Sequence, residues 1–419
     1  MKKRILEFEL FDATYPHNAH AVSILNTVPE YYPWLLNSFI QIEGWDNENM
    51  DFEDFWILEC PLLGHQRISK KLVLEKWDDY LGFIIEMIEC GYYVYLVVDT
   101  GKISIYKSAG YPHDMLVYGY DESGLYVVDF FQGARYGKGK VTYDEMREAL
   151  KLRQEFEEHW IFNYDIVLLW VKKGKNAAFS PERVRLSLED YLLGNRTQYW
   201  YHRSQVCYVT HRYELIYGTD VYGIMYNHID MPMKTGKLLE HWRQVFHLWH
   251  EHKRWMRRRL AYMRKNLSLK NADRYINGYA EIEQSSKILM SLCIKYYLTG
   301  NQDILKRMRN RLQKIEIAEK RILPFLIEDI IVETECGRGD WSGNHDSDGR
   351  VPGEHRPPVL RVVKLHTSTS CMELCLCFPY NLKSFRGCFV VRMSLCFDKV
   401  TCVYISVILI ELCPSISWI

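Results

Sequence analysis

The sequence has no excess of charge of either sign: lysine and arginine total 53, and aspartate and glutamate total 53. A net charge of zero gives no global attraction to nucleic acid or to an anionic membrane, so a charged partner has to be met by a local patch. Long hydrophobic runs are missing too. The longest, at 403–412, is interrupted by Ser406 and falls short of the roughly 20 residues that span a bilayer. The Met1-Lys2-Lys3-Arg4 start has the charge of a secretion signal, but Glu7, Glu9 and Asp12 break the apolar stretch such a signal needs. Cysteine is sparse where the pattern is regular: only Cys60, Cys90, Cys207 and Cys293 fall in the first 335 residues, without close pairs. That usage suits a reducing cytoplasm rather than a disulfide scaffold. What is present is ordinary globular material, 48% hydrophobic and 25% charged over 419 residues, enough for two or three domains.

Residues 4–10 alternate apolar and charged side chains and predict a half-buried strand. A turn over 12–16 leads to Asn18, which reads as the cap of a helix through Val22, Ile24 and Leu25. Leu72, Leu74, Trp77, Leu81, Ile84, Ile85 and Ile88 predict one amphipathic helix, or two short ones, packed on a sheet. The sheet is the clearest signal: 92–98, 103–106, 115–120, 125–130 and 164–171 are rich in Tyr, Val, Ile and Leu and predict mostly antiparallel strands. Thr142 with Glu145 forms a capping-box pattern. After residue 175 the pattern turns helical. Ser180-Pro181 opens a helix that Gly194 can close, and long runs follow over 238–263, 272–298 and 302–327. The expectation is an α+β domain over 1–175, an all-helical domain over 176–332 and an irregular tail over 333–419. Eight cysteines crowd that tail, from Cys336 to Cys413, including Cys371, Cys375 and Cys377. No second ligand pair at zinc spacing accompanies them, and a disordered tail or residues translated out of frame fit the loss of periodicity better.

One constellation carries chemistry. His113 enters a strand that continues Met115-Leu116-Val117-Tyr118-Gly119-Tyr120-Asp121, and after a turn the next strand ends at Asp129. With an odd loop such as 121–123, Asp129 lies opposite Met115 and shares a face with His113; an even loop separates them. A carboxylate beside an imidazole fixes its tautomer and supports its charged form, which is the base-and-orienter half of a catalytic triad.

This hairpin resembles the His-to-Asp hairpin of papain-like cysteine peptidases of the bacteriocin leader-processing branch. It is most similar to butirosin biosynthesis protein H-like proteins of bacterial antibiotic and nonribosomal-peptide gene clusters. Gly91-Tyr92-Tyr93-Val94, Pro33-Trp34 and Phe39-Ile40-Gln41 extend the likeness, which covers about the first 330 residues. The resemblance implies a papain-like antiparallel sheet with N-terminal helices, a nucleophilic Cys at the start of the first helix, and action on acyl groups held by a carrier protein. In this sequence that place is His17-Asn18-Ala19-His20-Ala21, which contains no Cys, and no oxyanion-hole Gln stands in 12–16. His17, Asn18 and His20 are therefore the expected lining of a degenerate cleft, with His17, His20 and His113 a small imidazole cluster or metal site. Ser23 lies a turn too deep, and Cys60 is a displaced alternative nucleophile. The resulting expectation is an accessory protein without cysteine-dependent catalysis and without a cofactor. Its alternative is an acyltransferase or hydrolase using His113 and Asp129 as a general-base pair.

Elsewhere, His241, His247, His250 and His252 on one helix lack the zinc-protease order and predict a solvated surface. Lys253, Arg254, Arg257, Arg258, Arg259, Arg264 and Lys265 form a basic band there, either a solvent-facing side or a dock for an acidic acyl or peptidyl carrier protein. The 30 tyrosines, clustered at 31–32, 92–93 and 199–201, suit clefts and interfaces but indicate no specific role.

Overall fold

The computed structural model describes residues 3–11, 13–45, 48–53, 60–77, 79–131, 135–151, 166–174, 177–195 and 215–330, and the backbone of 361–364, 371–382, 385–396 and 404–410. Cys207, the 199–201 aromatic cluster and the side chains of the tail cysteines lie outside the described residues. The chain forms two compact units, Met1–Glu335 and Cys336–Ile419. The first is α+β: an antiparallel sheet with helices around it, then a helical half.

Its main sheet has seven strands. Strands β4 (Leu63–Ile68), β9 (Ile166–Val171), β5 (Tyr93–Asp99), β6 (Pro112–Asp121), β7 (Gly124–Phe131) and β8 (Arg135–Val141) lie side by side in that order, all antiparallel, and β1 (Arg4–Ile5) pairs with the end of β6. The strand expected over 4–10 is thus only two residues long. The strand expected over 103–106 is instead the second of two 3-10 turns, Thr100–Lys102 and Ser104–Tyr106. The reason is local: the Tyr111 amide donates to Thr100 Oγ1 at 3.0 Å while the Thr100 amide donates to the Tyr111 carbonyl at 3.1 Å, closing 100–111 into a loop off the ladder.

Each face of the sheet buries a separate apolar layer, because side chains alternate along each strand. One layer holds Val94, Leu96, Val98, Met115, Val117 and Val127 against helices α3 (Lys70–Lys76), α4 (Tyr80–Glu89) and α5 (Tyr143–Leu150). The expected capping box is present on α5, Thr142 and Glu145 each bonding the other's backbone. The opposite layer holds Tyr93, Leu116, Tyr118, Val128 and Leu169 together with helix α1 (Pro16–Leu25) and much of the helical half. From Asn18 to Leu25 every residue of α1 is buried, so this helix is enclosed on all sides. Asn18 is not its cap. Tyr15 occupies that position and Pro16 follows at the first turn, where proline's missing amide leaves one fewer donor to satisfy.

Helix α2 (Tyr31–Leu35) leads into a small sheet in which β2 (Ile42–Trp45) pairs with β3 (Asn49–Phe52) on one side and with β10 (Ile216–Tyr217) on the other. The helical half comprises α6 (Pro181–Leu193), α7 (Tyr222–Thr235), α8 (Trp242–Asn266), α9 (Ala272–Thr299) and α10 (Gln302–Asp329). Ser180 caps α6 and Gly194 ends it in the left-handed conformation (φ 64°), as its sequence signals predict. Strand β10, at the entry to α7, pairs with β2, and Trp249, Trp255 and Leu260 of α8 share the apolar layer of α1, so the two halves have one core.

A charged centre holds the helices together. Lys253 of α8 and Glu319 of α10 are fully buried and 2.6 Å apart; the hydroxyls of Tyr191, Tyr222 and Tyr279 donate to the same carboxylate, and the ammonium lies 3.5 Å from the Trp249 ring centre. Burial lowers the Lys253 pKa, against the opposing pull of Glu319. Among the described residues, no helix is long and apolar enough to cross a membrane. The second unit contains β11 (Arg361–Lys364), β12 (Cys371–Leu382), β13 (Phe385–Cys396) and β14 (Tyr404–Ile410), paired antiparallel in chain order.

Candidate functional site

The site grows from the β6–β7 hairpin. Its turn is Glu122-Ser123, two residues and therefore even, with the Asp121 carboxylate accepting from the Ser123 amide at 2.9 Å. An even turn alone would put His113 and Asp129 on opposite faces. A bulge at Tyr118 restores the parity: Gly119 pairs with Tyr126, but Val117 pairs with Val127 and Leu116 with Val128, which brings Asp129 next in line to Met115. The expected juxtaposition holds, for a different reason from an odd loop. Gly119 is required beside the bulge, since a Cβ there would stand 2.8 Å from the Arg4 carbonyl of β1.

His113 Nδ1 lies 2.7 Å from Asp129 Oδ2. The Tyr106 hydroxyl donates to the same oxygen, and Asp129 Oδ1 accepts from the Phe130 amide at 2.6 Å. This is what the 3-10 turn at 104–106 accomplishes: it turns a tyrosine inward onto the carboxylate. Asp129 is wholly buried, whereas the His113 side chain is 20% exposed and has the Tyr111 ring edge-on at 5.4 Å. Burial works to lower the His113 pKa. The Asp129 charge and hydrogen bond, with Asp114 adding to them, outweigh it and raise the pKa to about 9. With Nδ1–H committed to Asp129, Nε2 is the working end of the ring, and near neutral pH it carries a proton and acts as a donor.

Strand alternation gives Asp114 the opposite face, with α1. The Tyr95 hydroxyl donates to Asp114, and the His20 ring meets Tyr95 edge-on at 5.5 Å. His20 Nδ1 is 3.0 Å from the Tyr136 hydroxyl, whose oxygen is hydrogen-bonded by Ser23; Ser23 Oγ in turn accepts from the Phe11 amide at 2.8 Å. The other ring nitrogen, His20 Nε2, is a buried atom with no hydrogen-bond partner among the described residues. Burial lowers the His20 pKa to about 3, so the ring is neutral.

The other expected site residues are placed as follows. Asn18 is 1% exposed on the first turn of α1, its amide nitrogen 3.1 Å from His17 Nε2; the same nitrogen of His17 lies 3.3 Å from Asp51 of β3. His17, His20 and His113 thus bond Asp51, Tyr136 and Asp129 respectively rather than one another. No group of three or more His, Cys, Asp or Glu among the described residues could hold a metal ion, which corrects the metal-site alternative. Cys60 is 1% exposed and burial pushes its thiol up to about 11, so it is a packed core residue and not a displaced nucleophile.

The basic band on α8 is corrected in part, since Lys253 and Arg259 are buried while Arg257 is exposed. Arg259 is 1% exposed: its Nε donates to the Leu36 carbonyl at 2.7 Å and its Nη2 to the Ser38 carbonyl, tying up the open end of α2. These contacts, with the Trp255 ring stacked at 5.1 Å, hold Phe39 at φ 58°, an uncommon conformation for a bulky residue. Arg257 is paired with Glu283, Arg258 lies over Trp255, and Lys253 is in the buried centre. The histidines of α8 are likewise engaged. His252 is wholly buried with Nε2 2.9 Å from the Ile40 carbonyl, His250 bonds Ser286, and His247 bonds Thr14.

Two participants were missed by reading the sequence, Tyr106 and Tyr136. Tyr106 was assigned to a strand and Tyr136 to no element, and nothing in their spacing separates them from the other tyrosines. No family model matches the chain, and no curated protein matches it.

Proposed function

We propose that this chain is a degenerate papain-like protein, similar to the butirosin biosynthesis protein H-like group, that binds a carrier-held or peptide ligand without covalent catalysis. In this reading it is a cytoplasmic accessory component of bacterial antibiotic or nonribosomal-peptide biosynthesis. The observation that carries the proposal is a buried Asn18, on the α1 side of the sheet, at the place where the resemblance puts the sulfur nucleophile, with the His113–Asp129 couple on the other side of the sheet. An amide there cannot form an acyl-enzyme, and Cys60 offers no substitute. The protonated Nε2 of His113 is a charge-assisted donor suited to a ligand carbonyl or carboxylate.

A second reading has a specific observation in its favour. The 2.7 Å His113–Asp129 bond is the geometry of a general-base pair, and a carrier thioester is activated enough for a bound amine to attack it directly. The two separate in a transfer assay with acyl-carrier thioesters and amine acceptors, run on the wild type and His113→Ala from pH 7 to 10. Binding without catalysis gives no turnover in either protein, with carrier affinity present in the wild type and weakened in the variant. Turnover that rises through about pH 9 in the wild type and vanishes in the variant establishes the general base instead. Equal ligand affinity in both proteins removes His113 from the site.

A further inference from the structure

The loop over 100–111 turns Tyr106 toward the sheet and is anchored on α5, on β8 and at its own ends. The Ser104 amide donates to Glu145 Oε1 of α5 at 3.0 Å, and the same carboxylate belongs to the capping box of that helix. A Cβ at Gly139 of β8 would stand 2.7 Å from Ile105 Cδ1 and 3.0 Å from the Phe131 ring, so this glycine leaves room for the turn. Thr100 and Tyr111 bond each other where the loop closes, and the Thr100 hydroxyl is 3.0 Å from that of Ser108. Held in this way, Tyr106 is 6% exposed, with its ring 5.1 Å from that of Phe131.

The Tyr106 hydroxyl donates to Asp129 Oδ2, the atom to which His113 Nδ1 is also bonded. Burial, and after it the Asp129 charge, holds the phenol well above its ordinary pKa, so it remains a donor while His113 titrates. One carboxylate oxygen therefore serves two donors, and they compete for its charge. A protonated His113 neutralises the carboxylate and weakens the bond from the phenol. Beside a neutral His113 the phenol meets the full negative charge, where a hydrogen bond is strongest. The phenol thus favours the neutral imidazole and opposes the rise that Asp129 produces.

We infer that Tyr106 is a positioning residue of the His113 site: it holds Asp129 Oδ2 beside the ring and takes up part of its charge, which sets how readily the imidazole gives up its proton. The other titratable groups that act on the ring among the described residues are Asp129 of β7, Asp114 of its own strand, Tyr111 of the loop, edge-on at 5.4 Å, and His20 of α1. Tyr106 differs from Asp114, Tyr111 and His20 in sharing Oδ2 with the ring. Its bearing on function rests on the reading of His113 as the ligand-facing group, since Tyr106 then regulates the pH up to which that group is a charged donor.

The test is carbon-13 NMR of labelled histidine Cε1 in the full chain, the His113 resonance being identified by its loss in His113→Ala. Tyr106→Phe keeps the ring and removes the hydroxyl, and in it His113 is expected to titrate at least ~0.5 pH unit above the wild-type value of about 9. A merely structural role predicts the reverse, because a displaced Asp129 supports the imidazolium less. Tyr118→Phe, in the apolar layer on the other face of the sheet, should leave the value within about 0.2 pH unit of wild type. If Tyr106→Phe does not fold, 3-fluorotyrosine placed at position 106 preserves the hydroxyl as a stronger donor, and His113 is then expected to titrate below the wild-type value. An unchanged or lowered His113 pKa in Tyr106→Phe, or an unchanged or raised one with the fluorinated ring, overturns the inference. The ring itself is the readout and no ligand is added, so failure here is distinct from a failure of carrier binding in the assay above.

Discussion

Replacing Asp129 with Asn tests the electrostatics of the His113 site with almost no change of shape. The asparagine keeps an oxygen for the Nδ1–H of His113 but removes the buried charge that raises the ring's pKa to about 9. The gap from the ordinary 6.5, at about 1.4 kcal/mol per pH unit, corresponds to about 3 kcal/mol of preferential stabilisation of imidazolium in the folded state. A group whose folded pKa is raised contributes fully below its unfolded value and loses the contribution as pH rises through the folded one. In the wild type this contribution is complete below about pH 6.5 and fades through about pH 9. In Asp129→Asn, with burial no longer opposed by that charge, His113 is expected to titrate below about 7, Asp114 alone remaining to support its charge. Urea unfolding should therefore show a loss near 3 kcal/mol at pH 6 and a much smaller one at pH 10. Carbon-13 NMR of labelled histidine Cε1 reads the pKa directly. If His113 titrates near 6.5 in both proteins, or the stability difference is the same at pH 6 and pH 10, the assignment of Asp129 as the controlling charge is wrong.

Two further outcomes follow from burial. Lys253→Met leaves the Glu319 carboxylate enclosed with no counter-charge and should destabilise the fold by about 3–5 kcal/mol in urea, whereas Lys253→Met/Glu319→Gln should recover a large part of that loss. A double variant as unstable as the single one would show that packing of the lysine stem, and not charge, is what matters. Iodoacetamide on the native protein at pH 8 should label the exposed Cys90 and spare Cys60, read by peptide mass spectrometry; equal labelling of the two would return Cys60 to candidacy as a reactive thiol.

Much of the fold was legible because it rests on local chemistry. The Ser180-Pro181 start and Gly194 stop of α6, the Thr142–Glu145 box and the alternation of β5, β6 and β7 are all written in neighbouring residues. The small sheet of β2, β3 and β10 was missed although Asn49-Met50-Asp51-Phe52 alternates, since four residues give too short a period and the third strand arrives from more than 160 positions away. At the site, His113 and Asp129 were legible and their geometry was not. Their shared face depends on one extra residue at Tyr118, which no spacing rule marks, working against an even turn. The α8 charges misled for a related reason. A helix of 25 residues rich in Arg and Lys looks solvated, yet Arg259 and Lys253 face inward because carbonyls after α2 and the Glu319 carboxylate await them there.

The adjacent residues 113 and 114 show how the sheet organises this region. Side chains on successive positions point to opposite faces, so one peptide unit joins two polar groups that do not share a face: His113, Asp129 and Tyr106 on the α4–α5 side, Asp114, Tyr95 and His20 on the α1 side. In the first, a buried carboxylate keeps an imidazole charged. In the second, burial keeps an imidazole neutral even with a carboxylate nearby, since the loss of hydration outweighs the pull of Asp114. The contrast comes from partner and solvent rather than from residue type. His113 is hydrogen-bonded directly to a buried carboxylate and part of its side chain is exposed; His20 is bonded to a phenol and is buried. Of the two, only His113 can present a charged donor to a ligand from solvent, and so the functional weight of the hairpin falls on it even though α1 holds the place from which a nucleophile would act.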